Sequence, residues 1–183
     1  MTVKEVLLTA AFELGLADGV QAYLDGTSQA GKADTERLLT CYNLVENELA
    51  LDYLPVTAED EVLTDTGVVY FTELAKRVVR IVRIVDAWGN ETPFTLFPEY
   101  VKTQPGKVKI AYTYVPNEKE LDGECEHTRY VSARLMAYGI AAEYSLACGL
   151  FEDAAVWDKK YKDAIAAAYR ARPKAKITSR RWA

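Results

Sequence analysis

Apolar and polar positions follow a helical period at both ends of this chain and a strand-like pattern in its middle. Thr2-Val3-Lys4-Glu5 has the form of a capping box ahead of Val6, Leu7, Ala10 and Leu14, which predicts a first helix from Val3 to near Gly15. A second helix, Asp18 to Leu24, stops at Asp25-Gly26. The loop TSQAGKAD then leads into a third helix, from Asp34 to Tyr53, with the stripe Leu38, Cys41, Tyr42, Val45 and Leu49; Pro55 ends it. From Val62 to Tyr114 β-branched and aromatic runs take over, with Asp86-Ala-Trp-Gly-Asn-Glu and Gln104-Pro-Gly-Lys as turns. Val108, Ile110, Tyr112 and Tyr114 alternate with Lys107, Lys109, Ala111 and Thr113, the mark of a strand buried on one face. Arg77, Arg80 and Arg83 recur every third residue, a spacing that a regular strand does not keep on one face. They are read as a bulge or a solvated edge strand, not as a nucleic-acid stripe.

The stretch Arg129 to Leu150 is apolar on nearly every side; from Leu135 onward only Glu143 and Ser145 are strongly polar. Such a helix belongs inside a bundle, and the small residues Ala137, Gly139, Ala141 and Ala142 suit close approach by its neighbours. It is expected to begin near His127 or Thr128 and to stop at Gly149. A last helix follows from Phe151 to Ala171, so that the two form an antiparallel αα-hairpin. Pro173 ends regular structure. The expected fold class is α+β: mainly a bundle of about five helices with a central antiparallel β-rich insert. The expected divisions are N-terminal helices at 1–60, the insert at 61–116, completing helices at 117–171 and a basic flexible tail at 172–183.

Half of the 183 residues are hydrophobic, enough for a sizeable core. The apolar helix is too short, and too interrupted by Glu143, to be expected in a membrane, and Met1 leads straight into a charged helix, so the protein is expected to stay inside the cell that makes it. Tyr supplies 12 of the 20 aromatic residues, which suits half-buried rings at an interface as well as ordinary core edges. Three cysteines, Cys41, Cys125 and Cys148, have no metal-type spacing and are expected to be reduced and inert. The net charge of −5 conceals a split. No acid follows Asp163, and Arg170, Arg172, Lys174, Lys176, Arg180 and Arg181 carry +6, so residues 1–169 hold 16 bases against 27 acids, a net −11. An acidic body leaves the tail as the candidate for an anionic partner.

Chemistry is sparse. The single histidine, His127, sits beside Glu124 and Glu126, and reads as a surface or capping residue in the absence of other ligands at metal spacing. No nucleophile elbow, phosphate loop or dinucleotide fingerprint occurs, and no cofactor is expected. Glu143 is the one charge in the apolar helix and is expected as a buried structural charge paired across a helix interface; a small enzyme built on Glu143 and His127 is a third reading. In the tail, Arg172, Lys174, Lys176, Arg180, Arg181 and Trp182 form a candidate partner-binding segment. Its bases suit phosphates or acidic protein groups, and its indole suits stacking or burial.

The phrases RIVRIVDAWGNETPFTLFPEYV, GKVKIAYTYVP and YGIAAEYSLACGLFEDAAVWDKKYKDAI, with a terminal SRRW, resemble the head-to-tail connector (adaptor) proteins of tailed bacteriophages and prophages. That resemblance implies a non-enzymatic virion subunit at the capsid–tail junction, made in the bacterial host cytoplasm. It implies a homo-oligomeric ring, expected as a dodecamer, that binds the portal protein and a stopper or tail-completion protein while DNA passes through without sequence-specific contacts. It assigns Arg180, Arg181 and Trp182 to portal docking. The alternative from the residues themselves is a nucleic-acid-binding accessory protein acting through the basic tail.

Overall fold

The computed structural model describes residues 1–127 and 130–171. Its architecture is α+β, a helical bundle with two small antiparallel sheets inserted between its third and fourth helices. The helices are α1 (Val3–Glu13), α2 (Ala17–Leu24), α3 (Lys32–Glu48), α4 (Ala133–Ala147) and α5 (Phe151–Ala171). The capping residue of α1 is Thr2, whose hydroxyl accepts the Glu5 backbone N–H at 3.2 Å. Helix α3 runs on through a π-helical turn, Leu49–Tyr53, before Pro55. No helix among the described residues is long and apolar enough to cross a membrane.

Helix α4 packs against α1, α3 and α5, as its all-round apolar surface requires. It is gripped at Gly139, where a β-carbon would lie 2.9 Å from both the Tyr161 ring and a Val45 methyl. The chain turns into α5 at Gly149, whose φ of +75° is open to glycine at little cost. The start of α4 differs from expectation. It begins at Ala133, where the Ser132 hydroxyl accepts the Leu135 N–H at 3.2 Å, and not near His127. The preceding segment is held extended along the N-terminus instead, through Val3 N–H to the Gly123 carbonyl and Cys125 N–H to the Met1 carbonyl.

Six strands form the insert: β1 (Val56–Thr64), β2 (Val68–Tyr70), β3 (Arg77–Asp86), β4 (Thr95–Leu96), β5 (Tyr100–Lys102) and β6 (Gly106–Val115). One sheet has the order β1-β6-β3 and the other β2-β5-β4, all pairs antiparallel. A second core, distinct from that of the bundle, joins Val69 and Val101 to Ile81, Ile84, Ile110 and Tyr112. Strand β1 is longer than the sequence suggests, because its inward residue Asp60 interrupts the apolar alternation. The Asp60 carboxylate is satisfied there by the Tyr112 hydroxyl and the Ala75 N–H, both at 2.7 Å.

Candidate protein-binding surface

The register of β3 against β6 slips twice. Val78 faces Tyr114, Arg80 faces Thr113, Ile81 faces Tyr112, Arg83 faces Ala111 and Ile84 faces Ile110, so Val79 and Val82 are each an extra residue. Two bulges thereby convert a three-residue sequence period into a two-faced strand. Val78, Ile81 and Ile84 point to the core between the sheets, while Arg77, Arg80 and Arg83 share the opposite face, across from Val115, Thr113 and Ala111. The bulge expected from the spacing is present, and through it the three arginines are brought together after all.

Their environments differ. Arg83 pairs with Glu59 at 3.0 Å, and Lys109 reaches the same carboxylate at 2.7 Å, while Lys107 pairs with Glu61 at 2.7 Å. Hydrogen bonds from Lys109 and Arg83 hold the Glu59 carboxyl below its usual range. Among the described residues, no ion pair engages Arg77 or Arg80. The bulge residues Val79 and Val82, on an edge strand of the sheet, are 47% and 52% exposed. Together with Arg80 they border a cleft of about 370 Å³ whose other wall is Leu51 and Pro55. Val79 and Arg80 also border a second cleft of about 280 Å³, closed by Leu96, Phe97 and Pro98. Phe97 stacks on Tyr100 with ring centres 4.5 Å apart. The two clefts share Val79 and Arg80, so exposed aliphatic and aromatic groups surround one guanidinium group that no ion pair engages among the described residues. Such composition is enriched at protein interfaces.

A polar seam holds the insert to the bundle. Glu46 on α3 is 1% exposed, and its Oε1 accepts the Glu126 backbone N–H at 2.8 Å and the Tyr42 hydroxyl at 3.2 Å. The Glu126 carboxylate accepts from Lys119 at 2.8 Å, Lys76 at 3.4 Å and the Tyr114 hydroxyl at 2.8 Å, which ties β6 and the entry to β3 to the same point. Burial pushes the Glu46 carboxyl above its ordinary range. Burial opposes the charge on Glu126 too, yet hydrogen bonds from Lys119 and Tyr114 and the charges of Lys119 and Lys76 outweigh it and hold that carboxyl down at about 2. The buried carboxylate is therefore Glu46 and not Glu143. The latter is half-buried and borders an open groove of about 610 Å³ between α3 and α4, beside Arg37 and Leu44. Glu143 has apolar neighbours in sequence but faces the groove, whereas Glu46 lies in a polar stretch that turns inward under the loop of residues 116–127.

His127, expected at the surface, is buried. Cys41 and Cys125 are buried free thiols, pushed up to about 11 by burial, while Cys148 is exposed and receives the Arg37 guanidinium at 3.4 Å. Among the described residues, no group of three or more His, Cys, Asp and Glu side chains is placed to hold a metal ion. Arg172, Lys174, Lys176, Arg180, Arg181 and Trp182 lie outside the described residues.

The stretch Gly26-Thr-Ser-Gln-Ala-Gly31-Lys32-Ala33 is one residue short of a phosphate-binding G-x-x-x-x-G-K-[ST] pattern. A phosphate loop follows a strand and keeps its amides free for oxygen atoms. Here the loop follows α2, and several of its amides are spent locally. Those of Thr27 and Ser28 donate to the Ala22 carbonyl, that of Ala30 to the Ser28 hydroxyl and that of Lys32 to the Gln29 carbonyl. Gly31 is required for packing, since a β-carbon there would overlap the Gly19 backbone.

No family model matches the chain. It is similar to a tRNA modification GTPase of Pseudomonas fluorescens, 28% identical over 149 residues, which cover 67% of this chain and 32% of that enzyme. The chain thus spans about a third of the length of the curated relative it matches. This finding corrects the expectation of a bacteriophage head-to-tail connector and of a virion structural role in DNA packaging, because the similar protein is a bacterial enzyme. The resemblance rested on the order of elements and on local phrasing. Helical spacing and strand alternation impose both on unrelated α+β chains.

Proposed function

We propose that this chain is a protein-binding module whose contact surface is the bulged strand β3. The observation that carries the reading is the double register slip, which exposes Val79 beside Arg80 and Val82 beside Arg83. A regular strand would have buried one member of each neighbouring pair. A bulge at a sheet edge also twists the edge away from strand addition, so recognition here is by side chains in the two clefts. The Tyr112, Tyr114 and Glu126 bonds behind the strand brace it, a rigid support of the kind that lowers the entropic cost of binding.

The similarity to a tRNA modification GTPase favours a second reading, in which Arg77 and Arg80 hold RNA phosphates while Phe97 stacks on a base. A photo-crosslinking amino acid at Val82, used in the cells that make the protein, separates the two. A protein adduct that is insensitive to ribonuclease and absent when the same group stands at exposed Leu63 is the expected result. An adduct destroyed by ribonuclease supports the second reading, and equal yields at both positions overturn both.

A further inference from the structure

We infer that the partner of the β3 surface is a second copy of this chain, docking through the turn between α4 and α5. The inference rests on the protein-binding reading of β3 and commits it to an occupant. A ligand for the clefts around Arg80 must offer apolar side chains and a carboxylate together, because the clefts are lined by aliphatic and aromatic groups and share the Arg80 guanidinium, which no ion pair engages among the described residues. The chain itself presents that combination. Leu150 and Phe151 are 51% and 71% exposed, and they lead directly into Glu152 and Asp153, both exposed. No ion pair among the described residues engages either acid.

The turn is rigid enough to act as a knob. Gly149 at φ +75° closes α4, the Leu150 N–H donates to the Ser145 carbonyl at 2.9 Å, and the Ala154 N–H donates to the Leu150 carbonyl at 2.9 Å. Leu146, one helical turn earlier, adds a third exposed apolar group. Knob and cleft lie at opposite ends of α3. Arg37, near its start, touches Cys148 beside the knob, and Leu51, just past its end, walls the cleft, a separation of about 20 Å along the helix axis. One molecule cannot satisfy both surfaces by itself. A contact of this kind is head-to-tail, each copy offering a knob to one neighbour and a cleft to another.

Two single variants at exposed positions test this: Val82→Asp spoils the cleft, and Phe151→Asp spoils the knob. Sedimentation of the wild-type chain over a concentration series up to millimolar is expected to show rising mass. Each variant is expected to remain monomeric, with association weakened at least about thirtyfold, the loss seen when an interface anchor is removed. An equimolar mixture of the two is expected to form a one-to-one heterodimer that grows no further, since only one intact cleft and one intact knob remain per pair. Association of the wild type that Val82→Asp abolishes and Phe151→Asp leaves intact overturns the knob while sparing the β3 reading. Association that Val82→Asp leaves intact overturns both. A wild-type chain that stays monomeric at millimolar concentration overturns the second copy as occupant, and the crosslinking experiment at Val82 then judges the β3 reading by itself. Circular dichroism of each variant, unchanged from wild type, keeps a folding defect from imitating the expected result.

Discussion

The backbone N–H of Glu126 donates to the buried Glu46 carboxylate at 2.8 Å, and this bond joins the loop leading to α4 with the middle of the helical core. The second oxygen of Glu46 has no hydrogen-bond partner among the described residues. Burial raises its pKa above the usual 4.5, so the folded state holds this proton more tightly than the unfolded chain does. The stability this provides is complete below 4.5 and is lost as pH rises through the raised value. Glu46→Gln keeps an oxygen for both donors and cannot ionise. Its melting temperature is expected to exceed that of wild type at neutral pH and to converge with it under acidic conditions, as thermal denaturation across that range would show.

Glu126 is expected to behave in the opposite sense. Its carboxyl is held at about 2, so its contribution is present above 4.5 and is lost as pH falls toward 2. Glu126→Gln removes a charge shared by Lys76 and Lys119, and a loss of roughly 1–3 kcal/mol is expected at neutral pH. The difference between variant and wild type shrinks in acid. Urea titrations at neutral and acidic pH measure both effects, and a constant difference would remove Glu126 from the account.

Gly139 tests the bundle. Alanine at this helical position adds about 1 kcal/mol of intrinsic helix preference, yet its methyl group would meet Tyr161 and Val45 at 2.9 Å. Neither neighbour has a flexible end that can swing away. Gly139→Ala is therefore expected to destabilise, by about 1–3 kcal/mol, with chemical denaturation as the readout.

Ile81 and Val82 are adjacent but lie on different sides of a bulge, 4% and 52% exposed. Ile81→Ala is expected to cost about 2–4 kcal/mol, whereas Val82→Thr is expected to change stability by less than about 0.5 kcal/mol. Equal costs in equilibrium unfolding would show that the register assigned to β3 is wrong.

The loop of residues 26–33 is expected to give no saturable binding of GTP, because the amides of Thr27, Ser28, Ala30 and Lys32 are already engaged by Ala22, Ser28 and Gln29. Titration with a fluorescent GTP analogue measures this directly. Saturable binding that disappears in Lys32→Ala would overturn that account of the loop.

The sequence by itself determined the elements whose signals are local. Thr2 marked the start of α1, Pro55 the end of the third helical stretch, Gly149 the break between α4 and α5, and the alternation around Ile110 a strand with one buried face. Each follows from backbone conformation or from a short hydrophobic period, which neighbouring residues decide without help. Only the tertiary structure decided the rest. Whether Glu46 or Glu143 is buried depends on a loop some 80 positions away in sequence closing over one of them. Whether Arg77, Arg80 and Arg83 share a face depends on the pairing partner β6, since a bulge exists only relative to the strand it slips against. The start of α4 was likewise set by the N-terminus pairing with residues 123–125. The proposed surface belongs to this second class, for Leu51, Val82 and Phe97 come from three separate segments and are neighbours only in the folded chain.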